Sequence, residues 1–294
     1  MALNSYQRAR ILLLVACCVC FILVLWASRL FAIPDDGAFS ASLLQQPTPL
    51  LAILVCGVVF LGCVLIGSAI AGRVRFDAGL FAACAGLTAI SARGGTMGDA
   101  LRLAGNTDRP TVFLAFAGEL ILLFALLAAG WWVQWLLQRR GLLHIDPRRD
   151  GVDDGRESLG HKISAAVMQA LVMGCLMLVL AQSPAKQQAL AAVALAAFGG
   201  SAISYYFLYP TSPSVWYWTG PLLVGLVGYL YAFISPPPAW AIGYLTSALS
   251  PLARPMPLDY ASAGVAGAIL GYWLSRRWHR ERRTAVAEAG PSAS

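Results

Sequence analysis

Charge is what this sequence has least of. Asp, Glu, Lys and Arg make up 12% of its 294 residues, about half the share of an ordinary soluble domain. So few charges cannot clothe a water-facing surface of this size, which excludes a soluble globular protein and implies that lipid covers much of the molecule. Histidine is scarce too: the three residues, His144, His161 and His279, lie in or near hydrophilic segments. That excludes haem ligation by paired intramembrane histidines and a histidine base for Gly199-Gly200-Ser201, which otherwise resembles a serine nucleophile turn. HExxH and P-loop patterns are absent, and with them the zinc-protease and phosphate-loop chemistry those spacings support. The seven cysteines all fall in apolar runs at 17, 18, 20, 56, 63, 84 and 175. Disulfide frameworks and zinc sites need cysteines at fixed spacing in exposed segments, so here cysteine serves as a small apolar residue. No cofactor is expected.

What is there is apolar and arrives in blocks. Hydrophobic residues form 59% of the chain and the mean hydropathy is +0.68. A hydrocarbon core of about 30 Å needs about 20 apolar residues in a helix. The runs predict an all-α, polytopic bundle with eight spans at 11–31, 49–71, 77–92, 111–137, 163–182, 187–208, 218–236 and 259–275, forming one integral-membrane domain over 1–294. Helices close all their backbone hydrogen bonds internally, as a spanning segment must. The third run covers only about 22 Å as a helix, so a re-entrant segment is an alternative. Segment 239–253 is short as well, which leaves six or ten spans as other readings. The first span has the basic start of a signal peptide, but its apolar run continues through Trp26, as a retained anchor's would.

The basic residues give a direction. Nineteen are Arg and two are Lys. Fifteen of these lie before span one, after span two, in the loop 139–162 and in the tail 276–294. The other six are Arg29, Arg93, Arg102, Arg109, Lys186 and Arg254. Positive charge marks the cytoplasmic side, so both termini, loop 139–162 and the basic tail are expected in the cytoplasm, with the chain in a bacterial-type inner membrane. The net charge of +7 is thus a topological signal rather than a nucleic-acid surface; the tail RRWHRERR suits anionic lipid headgroups. Spans four and eight end in WLLQRR and WLSRR; Trp belts and Arg stops recur on any cytoplasmic exit, which explains the likeness without a duplication.

Few residues carry candidate chemistry. Glu119 lies about 12 Å into the fourth span by helical rise, and a lone carboxylate at that depth is a functional candidate. Arg93, at the outer end of the third span, is the second functional candidate and lies within reach of an ion pair with Glu119, which is the structural alternative to a functional carboxylate. Arg102 and Arg109, in a glycine-rich loop, are candidate anion contacts. Ala192, Ala196, Gly200 and Ser204 are four apart on the sixth span, as are Ala263, Gly267 and Gly271 on the eighth; small residues so spaced allow close helix approach. The aromatic stretch 205–220 has no charge, which suggests either a loop buried against another subunit or a different topology at this point. Three functions follow: a non-catalytic subunit or scaffold of a membrane complex, with a membrane-protein partner or a homo-oligomer; a transporter or channel using Glu119; and an enzyme on a lipid-linked substrate.

Overall fold

The structure, a computed structural model, describes residues 5–28, 42–44, 48–72, 74–103, 109–142, 158–183, 185–208, 210, 214–235 and 249–288. Among them there are helices and turns and no strand. The helices are α1 (Ser5–Ser28), α2 (Pro49–Ala71), α3 (Ala78–Arg93), the short α4 (Met97–Leu103), α5 (Arg109–Arg139), α6 (Leu159–Leu180), α7 (Lys186–Ile203), the four-residue α8 (Val215–Trp218) and α9 (Gly220–Ile234). The last, α10, starts with the turn Pro257–Asp259, widens into a π turn at Tyr260–Gly264 and runs on as Val265–Glu288. A second π turn, Ser204–Leu208, extends α7.

Among the described residues, six helical segments are long and apolar enough to cross a membrane: Gln7–Ser28, Pro49–Ala71, Thr111–Arg139, Leu159–Leu180, Lys186–Leu208 and Val215–Ile234. The protein is therefore a helical membrane protein. Outward faces carry large bare side chains, including Leu14, Ile22 and Trp26 on α1, Leu50, Leu54 and Val58 on α2, and Leu171 and Val179 on α6. Water would penalise such faces; hydrocarbon does not.

The two remaining runs of the sequence reading, 77–92 and 259–275, form the middle of the bundle. α3 and α10 lie antiparallel: the Ser91 hydroxyl bonds Asp259, while Phe81 packs on Trp273 with ring centroids 5.1 Å apart. α3 thus runs as one continuous helix alongside residues 259–273 of its neighbour. Its weak hydropathy and small residues have a packing cause. A methyl group at Gly86 would meet the Cys20 carbonyl oxygen of α1 at 2.9 Å, and one at Gly67 of α2 would meet the Gly79 Cα at 3.1 Å. A helix enclosed by protein on several sides has no lipid face to cover, so alanine and glycine replace leucine.

The two halves of the chain pack differently. α3 lies against both α1 and α2, whereas in the second half α10 lies along α7 and α9 turns to α5 and α6. That difference argues against a duplicated arrangement. One end of the bundle collects the basic segments. Arg75, between α2 and α3, stacks on Trp273 of α10 at 5.0 Å. Phe76 meets Trp131 of α5, and Arg10 of α1 shares a cavity wall with Arg277 and Arg280. Part of the uncharged stretch 205–220 packs within the chain. Tyr205 packs edge-on to Tyr272 at 5.1 Å and Tyr217 lies 5.6 Å from the same ring.

Candidate functional site

The polar centre of the fold is the parallel pair α7 and α10. Their contacts keep one register. Arg254 donates to the Ala181 carbonyl at 2.7 Å, Lys186 Nζ to Asp259 Oδ1 at 2.7 Å, and Ser275 Oγ to the Ala202 carbonyl at 2.6 Å, while a His279 ring nitrogen lies 3.1 Å from the Tyr206 carbonyl; each pair is 73 residues apart. The same offset puts Gly267 against Ala194 and Gly271 against Phe198, where a methyl group would lie well inside contact with the carbonyl oxygen and about 3 Å from its carbon. The two helix backbones therefore touch, which only glycine at 267 and 271 permits.

Parallel packing sets two helix N-termini side by side, and each carries a partial positive charge. Lys186 adds a full one. Asp259, 0% exposed, is the group that answers all three. Its Oδ1 accepts from Lys186 and from the Ser91 hydroxyl, and its Oδ2 accepts from the Met256 amide at 2.9 Å. Around it, Arg254 also donates to the Leu249 carbonyl at 3.1 Å. Tyr229 donates to Pro255 and Tyr260 to Leu252, both at 2.7 Å. Burial lowers the Arg254 pKa from its usual value, yet an arginine keeps its charge in proteins. These bonds tie segment 249–260 to α3, α6, α7 and α9. A methyl group at Gly228 of α9 would collide with the Leu252 carbonyl, so the segment is seated tightly as well as bonded.

Glu119, buried on α5, is held elsewhere. It accepts the Ser42 hydroxyl, and the Leu43 amide at 3.1 Å, so its carboxylate draws the connection between α1 and α2 into the bundle. The expected pair with Arg93 does not form: Arg93 is exposed at the end of α3, and the buried ion pair among the described residues is Lys186–Asp259. The side chains of Arg102 and Arg109 lie outside the described set. Of the small-residue stripes, Gly267 and Gly271 make a close contact within the chain, with the backbone at Ala194 and Phe198. Gly200 faces α6, where a methyl group would meet Met173 Cβ at 3.0 Å; Ala192, Ala196, Ser204 and Ala263 are buried.

Two buried glutamines contrast. Gln134 of α5 caps α3: with its amide oriented by the surrounding donors, its oxygen accepts from the Leu80 amide at 3.0 Å, the Gly79 amide at 3.3 Å and the Ser68 hydroxyl at 2.9 Å. It satisfies helix-start amides that the N-cap Asp77 side chain does not bond. Gln169 of α6 is fully buried against Gly220 of α9, and neither its oxygen nor its nitrogen has a hydrogen-bond partner among the described residues.

Sequence reasoning passed over Asp259 and Lys186. A signal was present: Asp259 is the one acidic residue between Glu157 and Glu281, so any cation buried in that stretch had a single internal acid to meet. The chain matches no family model, no curated protein and no solved structure.

Proposed function

We propose that the protein is a non-catalytic subunit or scaffold of a membrane complex, with eight crossing helices and both termini in the cytoplasm of a bacterial-type inner membrane. The observation that carries the reading is where the buried charges go. Glu119, Lys186, Arg254 and Asp259 are each consumed in bonds between segments of the bundle. Intramembrane charges that serve transport bind and release a cargo; these hold helices and connections in place. The topology is supported by the same bonds. Lys186 and Arg254, two of the six basic residues on the outer side, are internally bound and cease to weigh against the positive-inside asymmetry. The segments bearing Arg10, Arg75, Arg277 and Arg280 share one end, the end assigned to the cytoplasm.

The test has two parts. The full chain is purified from its native membrane in mild detergent and co-purifying proteins are identified by mass; one membrane protein at fixed stoichiometry is expected, and a clean single species overturns the reading. Purified protein in liposomes should carry no proton or cation flux, and flux abolished by Glu119→Gln would establish transport instead. Accessibility labelling at residues 40, 150 and 290 should report outside, inside and inside.

A further inference from the structure

At the basic end a cavity of about 680 Å³ opens between α1, the α2–α3 turn, α7 and α10. Its lining changes character along the helix axes. Arg10, Arg75, Arg277 and Arg280 line the outermost part, whereas Leu13, Phe198 and Leu270 line the part nearer the bundle centre. From Leu270 to Arg280 the helix rises about 15 Å, which is the step from acyl chain to headgroup in one leaflet. Each of the four arginines also interacts elsewhere within the protein, and the five donors of a guanidinium let it do so and still face the cavity. Arg277 shares its charge with Glu281 at 2.6 Å on the solvent side, and Arg75 is fixed in place by its stacking on Trp273. Planar guanidinium groups match phosphate oxygens in pairs. The volume falls in the range of small-ligand sites, enough for a phosphate headgroup and part of one chain.

We propose that this groove binds one anionic phospholipid, its phosphate among Arg10, Arg75, Arg277 and Arg280 and an acyl chain along Leu13, Phe198 and Leu270. The apolar stretch favours a lipid over a soluble phosphate, and the four arginines favour an anionic headgroup over a zwitterionic one. The proposal invokes no partner, so it stands or falls independently of the scaffold reading.

The test is lipid retention by the intact chain, measured by native mass spectrometry from detergent supplemented with phosphatidylglycerol or phosphatidylcholine. The wild type should hold one phosphatidylglycerol at least tenfold more strongly than phosphatidylcholine. Replacing Arg10, Arg75 and Arg280 together by Gln should lower that retention at least tenfold. Replacing Arg8, Arg140 and Arg282 by Gln, which removes equal charge from basic segments outside the lining, should change it less than twofold. Ala9→Trp narrows the groove and keeps every charge; it too should lower retention, which guards against a triple variant that fails to fold. Equal loss in both triple variants, or undiminished retention in Ala9→Trp, would overturn the site. Displacement of the lipid by inorganic phosphate at equal concentration would make it a soluble-anion site and overturn the lipid assignment.

Discussion

Adding a single methyl group at Gly271 tests the parallel α7–α10 contact most directly. In an ordinary helix interior, Gly→Ala stabilises by about 0.5–1 kcal/mol through lost backbone freedom. At Gly271 the new Cβ would overlap the Phe198 carbonyl oxygen and lie 3.0 Å from its carbon and 3.1 Å from the Ala202 nitrogen. All three are backbone atoms of α7 and cannot rotate aside, so the helices must separate. Overpacking of this kind costs about 1–3 kcal/mol, so after the helix gain is subtracted Gly271→Ala should destabilise by up to about 2.5 kcal/mol, and should lie about 1–3 kcal/mol below a Gly→Ala change in open space. Gly118→Ala on α5, with open space around it, is the control and should be neutral or slightly stabilising. Gly267→Ala should resemble Gly271→Ala, and the double variant should cost less than the sum, because helices already parted by the first methyl accommodate the second. Unfolding in mild detergent, followed by tryptophan fluorescence against a denaturing detergent, reads all four. If Gly271→Ala is as stable as Gly118→Ala, the backbone contact does not exist.

Three further outcomes follow from the buried polar groups. Asp259→Asn leaves Lys186 buried without its counter-ion and should destabilise by about 3–5 kcal/mol, whereas Lys186→Met with Asp259→Leu removes both charges and should recover most of that loss; equal damage from both would show that the pair is not the operative contact. Gln169→Met removes two unpartnered polar atoms at nearly constant volume and should leave stability unchanged or raise it, since an unpaired buried group costs about 1–3 kcal/mol; a clear loss of stability in the same denaturation assay would mean that the amide has a partner. Glu119→Leu should free the Leu43 amide, seen as faster hydrogen exchange at residues 42–44 with α5 itself unchanged, and unaltered exchange there would remove the strut assigned to this carboxylate.

How much of this was legible in the sequence depends on the kind of contact. Long apolar runs mark their helices because lipid demands continuous hydrophobicity whatever the neighbours are. α3 was harder to read for the opposite reason: it is enclosed by α1, α2 and α10, and small residues suited to that enclosure lower its hydropathy and mask its length. The fourfold spacing of Gly267 and Gly271 was readable as close approach, but not the surface it approaches, because a glycine notch accepts any backbone. Ala194 and Phe198 meet it through main-chain atoms, which leave no side-chain signature. Glu119 could be placed at its depth, but its partners Ser42 and Leu43 lie in a connection more than 70 residues earlier, and a charged neighbour such as Arg93 is the more conspicuous guess. The Lys186–Asp259 pair was readable in principle, since the second half of the chain offers so few acids.

The constant offset between α7 and α10 links the two ends of the bundle. Asp259 fixes the start of α10 against the start of α7, the two glycines hold the helices at backbone contact through the middle, and His279 meets Tyr206 at the far end. Arg277 and Arg280 lie about 27–32 Å from Asp259 by helical rise, yet their position over the cavity depends on that register being kept. A methyl group at Gly271 pushes α10 away from α7 and so moves Leu270, Trp273 and both arginines relative to Phe198, the wall they share. Gly271→Ala should therefore weaken phosphatidylglycerol retention several-fold without substituting any lining residue, and Gly118→Ala should not. Undiminished retention in a Gly271→Ala protein that is measurably less stable would show that the groove is built locally by α1 and α10, and that the register at the helix starts has no hold on it.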